Sequence, residues 1–158
     1  MREVVILGAG AIGRGFLPWI LGTDKYGLIF VDIDLELIAR FKQQKEYRSY
    51  RVKSDKLEEM IVPVKKAYLN SEFPASEYSD AAAVFMNVGP RNCSIAADAL
   101  KGIRCPIILC ENDPQTVQIV KDRLKYDKVY FGDPDVIASK TASAEILAKD
   151  PLSVISED

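Results

Sequence analysis

Val4-Val5-Ile6-Leu7-Gly8-Ala9-Gly10-Ala11-Ile12-Gly13 is the stretch that decides the fold. Its first four residues form a continuous apolar run rich in β-branched side chains, with no polar alternation. That pattern predicts a strand buried on both faces, as in a parallel sheet. The run passes into Gly-x-Gly-x-x-Gly and then into Phe16 to Leu21, an apolar stretch expected to be helical, with Pro18 kinking or shortening it. The glycine spacing is a weak signal alone, and a generic tight turn is the alternative. Between a strand and a helix it stands in the context the motif needs. Gly8 permits the tight turn, Gly10 lets a pyrophosphate approach the backbone, and Gly13 lets the helix pack closely on the strand. The helix N-terminus offers N–H groups and a positive dipole end to phosphates, so Ala9, Ala11 and Ile12 join the expected binding set.

Downstream, Gly22 and Gly27 bracket a loop before a second buried strand, Leu28 to Asp32. Asp32 ends that strand at the distance where an acid bonds the adenosine ribose hydroxyls, with Ile33 beside it. A carboxylate there repels a 2′-phosphate, and no arginine follows directly to reverse the preference, so NAD is expected rather than NADP. The alternatives for Asp32 are a loop aspartate or a helix cap. Asp34 fills the capping role better, before a helix whose apolar side includes Leu35, Ile38 and Phe41.

The pattern then changes. Tyr47 to Val52 alternates, and Met60 to Val64 is β-prone with Pro63 inside it, which predicts an antiparallel hairpin or edge ribbon. Residues 70 to 80 read as a loop with room for one helical turn. The parallel rhythm resumes with a strand at Ala82 to Val88, ended by Gly89-Pro90, and a helix from Asn92 to Lys101, stopped at Gly102. A strand at Pro106 to Cys110 follows. Asp113-Pro114 opens a helix with a stripe at Val117, Val120 and Leu124. Val129 to Phe131 is a last short strand, and a looser segment runs from Gly132 to Asp158, with one helix expected around Ala142 to Lys149. Strands alternating with helices predict one α/β domain over residues 1–158, a doubly wound, mostly parallel sheet with a β-hairpin insertion.

In such a sheet ligands bind beyond the carboxyl ends of the strands. Val88 and Gly89 are therefore expected near a ribose, and Asn112 near a nicotinamide, although turn chemistry and a helix entry would also explain these residues. Arg14 is expected either beside the pyrophosphate or as a solvated arginine on the helix surface. Cys110 lies at the same sheet edge, but no histidine exists to activate it, so it reads as a buried strand cysteine. Lys65-Lys66 and the charged stretch 53–59 read as solvated faces, and Phe16 and Trp19 as core.

Composition narrows the chemistry. The chain has 158 residues, 48% hydrophobic and 28% charged, with a formal net charge of −2. That balance lacks the basic footprint of a nucleic-acid or acidic-membrane binder. The three cysteines show no Cys-x-x-Cys spacing and read as reduced, mostly buried side chains of a cytoplasmic protein. No apolar run approaches the ~20 residues of a membrane span. Histidine is absent altogether. Proton transfer must then fall to other side chains or to another segment, and a transition-metal site is not expected.

Gly8 to Phe16 closely resembles the N-terminal fingerprint of the mannitol-1-phosphate 5-dehydrogenases, members of the polyol-specific long-chain dehydrogenase family. The similarity continues through Phe30-Val31-Asp32-Ile33-Asp34, Tyr47 to Val52, Val88-Gly89-Pro90, Cys110-Glu111-Asn112 and Asp150 to Val154. The resemblance implies a Rossmann-type fold, NAD as cofactor, and hydride transfer to or from a secondary alcohol in the complete enzyme. It implies that the family's Lys, Asn and His set sits on a helix of a separate C-terminal domain. No catalytic residue is therefore expected in this chain, which should need a missing catalytic domain or partner chain. A stand-alone nucleotide-binding or redox-sensing module is the alternative. An S-adenosylmethionine-dependent transferase fits less well with the complete glycine spacing and the Gly13-Arg14-Gly15-Phe16 extension.

Overall fold

A computed structural model describes residues 1–133, 137–139, 152 and 154–157. The expected strand is β1 (Arg2–Leu7), and its residues from Val4 to Leu7 are buried on alternate faces of a sheet covered on both sides. β2 (Tyr26–Asp32), β5 (Lys66–Leu69), β6 (Ala83–Met86), β7 (Ile107–Leu109) and β8 (Val129–Phe131) join it. Among the described residues these form one six-stranded parallel sheet in the order β5-β2-β1-β6-β7-β8. The winding reverses between β1 and β6, and that is where a doubly wound sheet opens a crevice at its carboxyl edge.

The two faces have separate cores. Val5, Leu7, Val31, Val84, Met86 and Leu109 point to one side, under α3 (Cys93–Ala97) and α4 (Gln115–Leu124). Val4, Ile6, Leu28 and Phe30 point to the other, under α1 (Leu17–Leu21) and α2 (Leu35–Gln44). Phe30 stacks on Phe41 at 4.9 Å between ring centroids, with Tyr47 edge-on to Phe30. Asp34 caps α2 through its side chain, which accepts from the Leu37 N–H at 3.1 Å. Ile38 and Phe41 are buried as expected, but Leu35 is 69% exposed, because the first helical residue lies beyond the edge of the sheet.

The hairpin is β3 (Glu46–Lys53) with β4 (Lys56–Pro63), antiparallel from Glu46–Pro63 to Lys53–Lys56. Pro63 ends the strand, where a missing N–H does least harm. The hairpin is part of a larger unit. β10 (Val154–Glu157) runs parallel to β3 and antiparallel to β9 (Ile137–Ser139), giving the order β4-β3-β10-β9. The helix expected around residues 142–149 lies outside the described residues.

Pro18 leaves a distinct mark. The chain enters helix directly after the glycine loop through a π-helical turn, Ile12–Phe16, in which the Leu17 N–H bonds the Ile12 carbonyl five residues back. Pro18 has no N–H to offer the Arg14 carbonyl four residues back. The Tyr47 hydroxyl of β3 donates to that carbonyl at 2.7 Å. Ser49 of β3 donates to the Gly15 carbonyl at 3.2 Å and accepts from the Trp19 indole at 2.9 Å. The second sheet is thereby fastened to the turn that follows the glycine loop.

Candidate functional site

The glycine loop is shaped by close approach. Gly8 has φ +96° and donates its N–H to the Val31 carbonyl at 2.8 Å. A Cβ on it would lie 2.5 Å from the Asn87 carbonyl oxygen of the neighbouring strand loop. Gly13 sits over the turn itself, where a Cβ would lie 2.3 Å from the Gly8 carbonyl oxygen and 2.9 Å from Asn87 Oδ1. The first and third glycines are thus required by backbone packing, in the roles their spacing gives them.

Asp32 closes the loop from the β2 side. Its Oδ2 accepts the Ala9 N–H at 2.7 Å, and its Oδ1 accepts the Asp34 N–H at 2.9 Å. The carboxylate therefore holds the glycine loop and the entry of α2 while remaining partly exposed. A carboxylate has about four lone-pair sites, so two bonds leave acceptor capacity on both oxygens.

These residues border a cleft of about 430 Å³ at the carboxyl edge of the sheet. Gly8, Gly10, Asp32 and Ile33 form one side, and Asn87, Val88, Asn92 and Ile95 the other. Ile33 and Ile95 are 80% and 76% exposed, so two branched apolar side chains stand at the mouth. A larger, shallower hollow, about 810 Å³, includes Arg104 and Lys128 and lies at the amino ends of β7 and β8, away from the glycine loop. The switch-point cleft is the one with the chemistry of a site: a glycine-lined floor, a carboxylate, amide side chains and apolar lips.

Five of the expected residues border this cleft: Gly8, Gly10, Asp32, Ile33 and Val88. Ala9 is fully buried with its N–H committed to Asp32. Ala11 and Ile12 are half-buried next to Gly10, and Gly13 lies beneath the loop. Arg14 is not the solvated arginine of a helix surface. It is 6% exposed, with Nη1 donating at 2.9 Å to the Leu152 carbonyl, 138 residues away. Gly89 stands behind the wall at φ +86°, and Asn112 is exposed beyond β7. Sequence reasoning missed Asn70, Asn87, Asn92, Ile95 and Ala96, which border the cleft, and Glu111, which is buried behind it. Asn70 and Asn92 carry no motif spacing, and Glu111 was visible only as part of the Cys110-Glu111-Asn112 triplet.

The cysteines have no part in the cleft. All three are free and buried. Burial pushes the Cys110 thiol up to about 11 and the Cys93 thiol up to about 12, so neither is a thiolate nucleophile near neutral pH. Among the described residues no three His, Cys, Asp or Glu side chains gather into a metal-holding group, and no helix is long and apolar enough to cross a membrane.

A doubly wound parallel sheet with a glycine-lined cleft at its switch point places the molecule among the Rossmann domains. The chain belongs to the mannitol dehydrogenase Rossmann domain family, whose model matches residues 2–157. A mannitol-1-phosphate 5-dehydrogenase of Thermoanaerobacter pseudethanolicus is 27% identical over 179 aligned residues, covering 100% of this chain and 46% of that protein. A second, from Neurospora crassa, is 31% identical over 123 residues, covering 70% of this chain and 31% of that protein. The chain thus spans less than half the length of these curated relatives. Among solved structures, octopine dehydrogenase with NADH and L-arginine superposes with a TM-score of 0.76 over 98% of this chain and 39% of that one, at 12% identity. At that identity the likeness shows the fold alone.

Proposed function

We propose that this chain binds NAD(H) in the switch-point cleft and is the cofactor-holding part of a dehydrogenase acting on a polyol or polyol phosphate. The observation that carries the reading is the meeting of Gly8, Gly10, Asp32 and Val88 around one cleft, from elements far apart in sequence. In this reading the backbone of Gly10, Ala11 and Ile12 faces the pyrophosphate, Asp32 accepts from the adenosine ribose hydroxyls, and Ile33 and Ile95 flank the adenine. Asn70, Asn92 and Ala96 complete the wall. Gly13 keeps the helix close to the strand. When bound, NAD supplies the hydride acceptor for oxidation of a secondary alcohol. This chain's own residues bind and orient the dinucleotide, and the proton-transfer groups come from a further domain or partner chain. Family membership supports the reaction class, and the lengths of the relatives support the division of labour.

Titration of the chain with NADH and NADPH tests the cofactor. NADH is expected to bind more tightly, because the Asp32 carboxylate repels a 2′-phosphate. Asp32→Ala should weaken NADH by about tenfold or more, the effect of losing hydrogen bonds to a charged acceptor, and should narrow the gap to NADPH. Equal binding of both nucleotides by the unmodified chain would overturn the assignment.

A further inference from the structure

Among the described residues, Arg14 and Glu111 are the charged side chains buried to below a tenth of their surface. Arg14 belongs to the fastening of the second sheet. Glu111, which follows β7, faces the back of the cleft. Its Oε1 accepts the N–H of Val88 at 2.9 Å and the N–H of Gly89 at 3.1 Å. The Cys93 thiol at the start of α3 approaches the same oxygen at 3.8 Å and lies 3.3 Å from the Gly89 carbonyl. On the other side of the loop, Asn92 Nδ2 donates to the Val88 carbonyl at 3.0 Å. Two successive N–H groups converging on one oxygen form a small anion-binding nest, here filled by the protein's own carboxylate.

Burying a carboxylate is costly unless its hydrogen bonds are made, and those bonds go to the one loop at the switch point. Gly89, at φ +86°, gives that loop a backbone turn that L side chains rarely adopt. A tight turn of this kind needs an outside partner for its N–H groups. Val88 and Asn92, which wall the cleft, are placed by the turn.

We propose that Glu111 is a positioning residue for the dinucleotide: by gripping the Val88 and Gly89 N–H groups, it holds the β6–α3 loop in the shape that receives the cofactor. The proposal rests on the dinucleotide reading of the cleft. Groups that act on Glu111 are the Cys93 thiol from α3 and, through their charge or hydrogen bonds, the Val88 and Gly89 amides. Cys110, the residue before it, and Asp113, two residues beyond it, belong to the same local group. Burial pushes the Glu111 carboxyl above its ordinary range, and the two N–H bonds pull it partly back. A carboxyl raised in this way protonates, as pH falls, before ordinary carboxylates do. The oxygen still accepts from the two amides, but without its charge it holds them more weakly, while the packing remains.

The experiment is NADH titration across a descending pH series with the unmodified chain, Glu111→Gln and Glu111→Ala. The glutamine amide oxygen accepts the same two bonds but does not titrate. In the unmodified chain, NADH affinity is expected to drop about tenfold as pH falls through the raised Glu111 value, on the scale of bonds to a charged acceptor. The Glu111→Gln chain should be flat across that window, and Glu111→Ala should bind about tenfold more weakly at neutral pH. If Glu111→Ala does not fold, the comparison between the unmodified chain and Glu111→Gln decides alone. Identical pH profiles for those two, or full NADH affinity in a folded Glu111→Ala, would overturn the proposal. An unmodified chain that bound no NADH at any pH would instead sink the dinucleotide reading. In that case, backbone amide shifts of Val88 and Gly89 that titrate in the unmodified chain but not in Glu111→Gln would still establish the grip apart from the cofactor.

Discussion

Gly13 has the least room for change of any residue in the loop. A methyl group there would meet the Gly8 carbonyl oxygen, a backbone atom, at 2.3 Å and the side-chain oxygen Asn87 Oδ1 at 2.9 Å. Asn87 is itself braced, its Nδ2 lying 3.3 Å from the Leu7 carbonyl at the end of β1. Gly13→Ala is therefore expected to push the helix off the strand. The cost should be about 1–3 kcal/mol, the usual range for overpacking a filled site. Thermal unfolding measures the loss, and NADH affinity should fall with it because the displaced turn carries Gly10. A Gly13→Ala chain with unchanged melting and unchanged affinity would mean that the strand and helix do not meet as described. At this scale the sequence was most readable where a residue's chemistry is local. Gly8 and Gly13 announced their packing roles by spacing, and Asp34 announced its cap of α2 by its place before the helix. Arg14 did not, because its partner is the Leu152 carbonyl, and nothing in the neighbouring sequence points 138 residues ahead.

Helix α2 separates two aspartates that the sequence sets side by side. The Asp34 side chain bonds the Leu37 N–H and serves the helix, whereas Asp32 bonds the Ala9 N–H and serves the loop. Replacing an N-cap aspartate with alanine costs about 0.5–2 kcal/mol. Asp34→Ala should therefore lower the unfolding free energy by about that amount, read from chemical denaturation, and leave NADH affinity within about twofold. Asp32 Oδ1 takes the Asp34 backbone N–H, which the substitution retains. A large loss of affinity in Asp34→Ala would move the nucleotide contact from Asp32 to its neighbour. Elements with strong periodicity or punctuation were legible in advance: β1, β2, the hairpin, and α4 with its Asp113-Pro114 entry. β5 was not, since Lys66–Leu69 is four residues long, begins with a lysine and earns its place only by pairing with β2 at the edge of the sheet. The π-helical turn was half legible. Pro18 signalled a disturbed helix, but the Tyr47 hydroxyl that serves the Arg14 carbonyl comes from another sheet.

The whole molecule divides its work between two sheets. The six-stranded sheet builds the cleft, and the smaller one, reached through Tyr47, Ser49 and Arg14, braces the turn behind the glycine loop. Among the described residues that border the cleft, none apart from Asp32 carries an ionisable side chain that could serve as a general base. The sequence has no histidine, and the thiols beside the cleft are pushed far above neutral. Glu111 is buried with its oxygen turned to two backbone amides. Oxidation of an alcohol needs a proton acceptor as well as a hydride acceptor, and correctly placed acid–base groups commonly contribute about 10²–10⁴-fold in rate. Binding and turnover should therefore come apart. The chain is expected to take up NADH near one equivalent and to show no reduction of NAD above background with mannitol or mannitol 1-phosphate. Fluorescence titration and absorbance at the NADH band measure the two halves of that statement. Turnover at a rate typical of complete dehydrogenases would place the missing base within these 158 residues and refute the proposed division of labour.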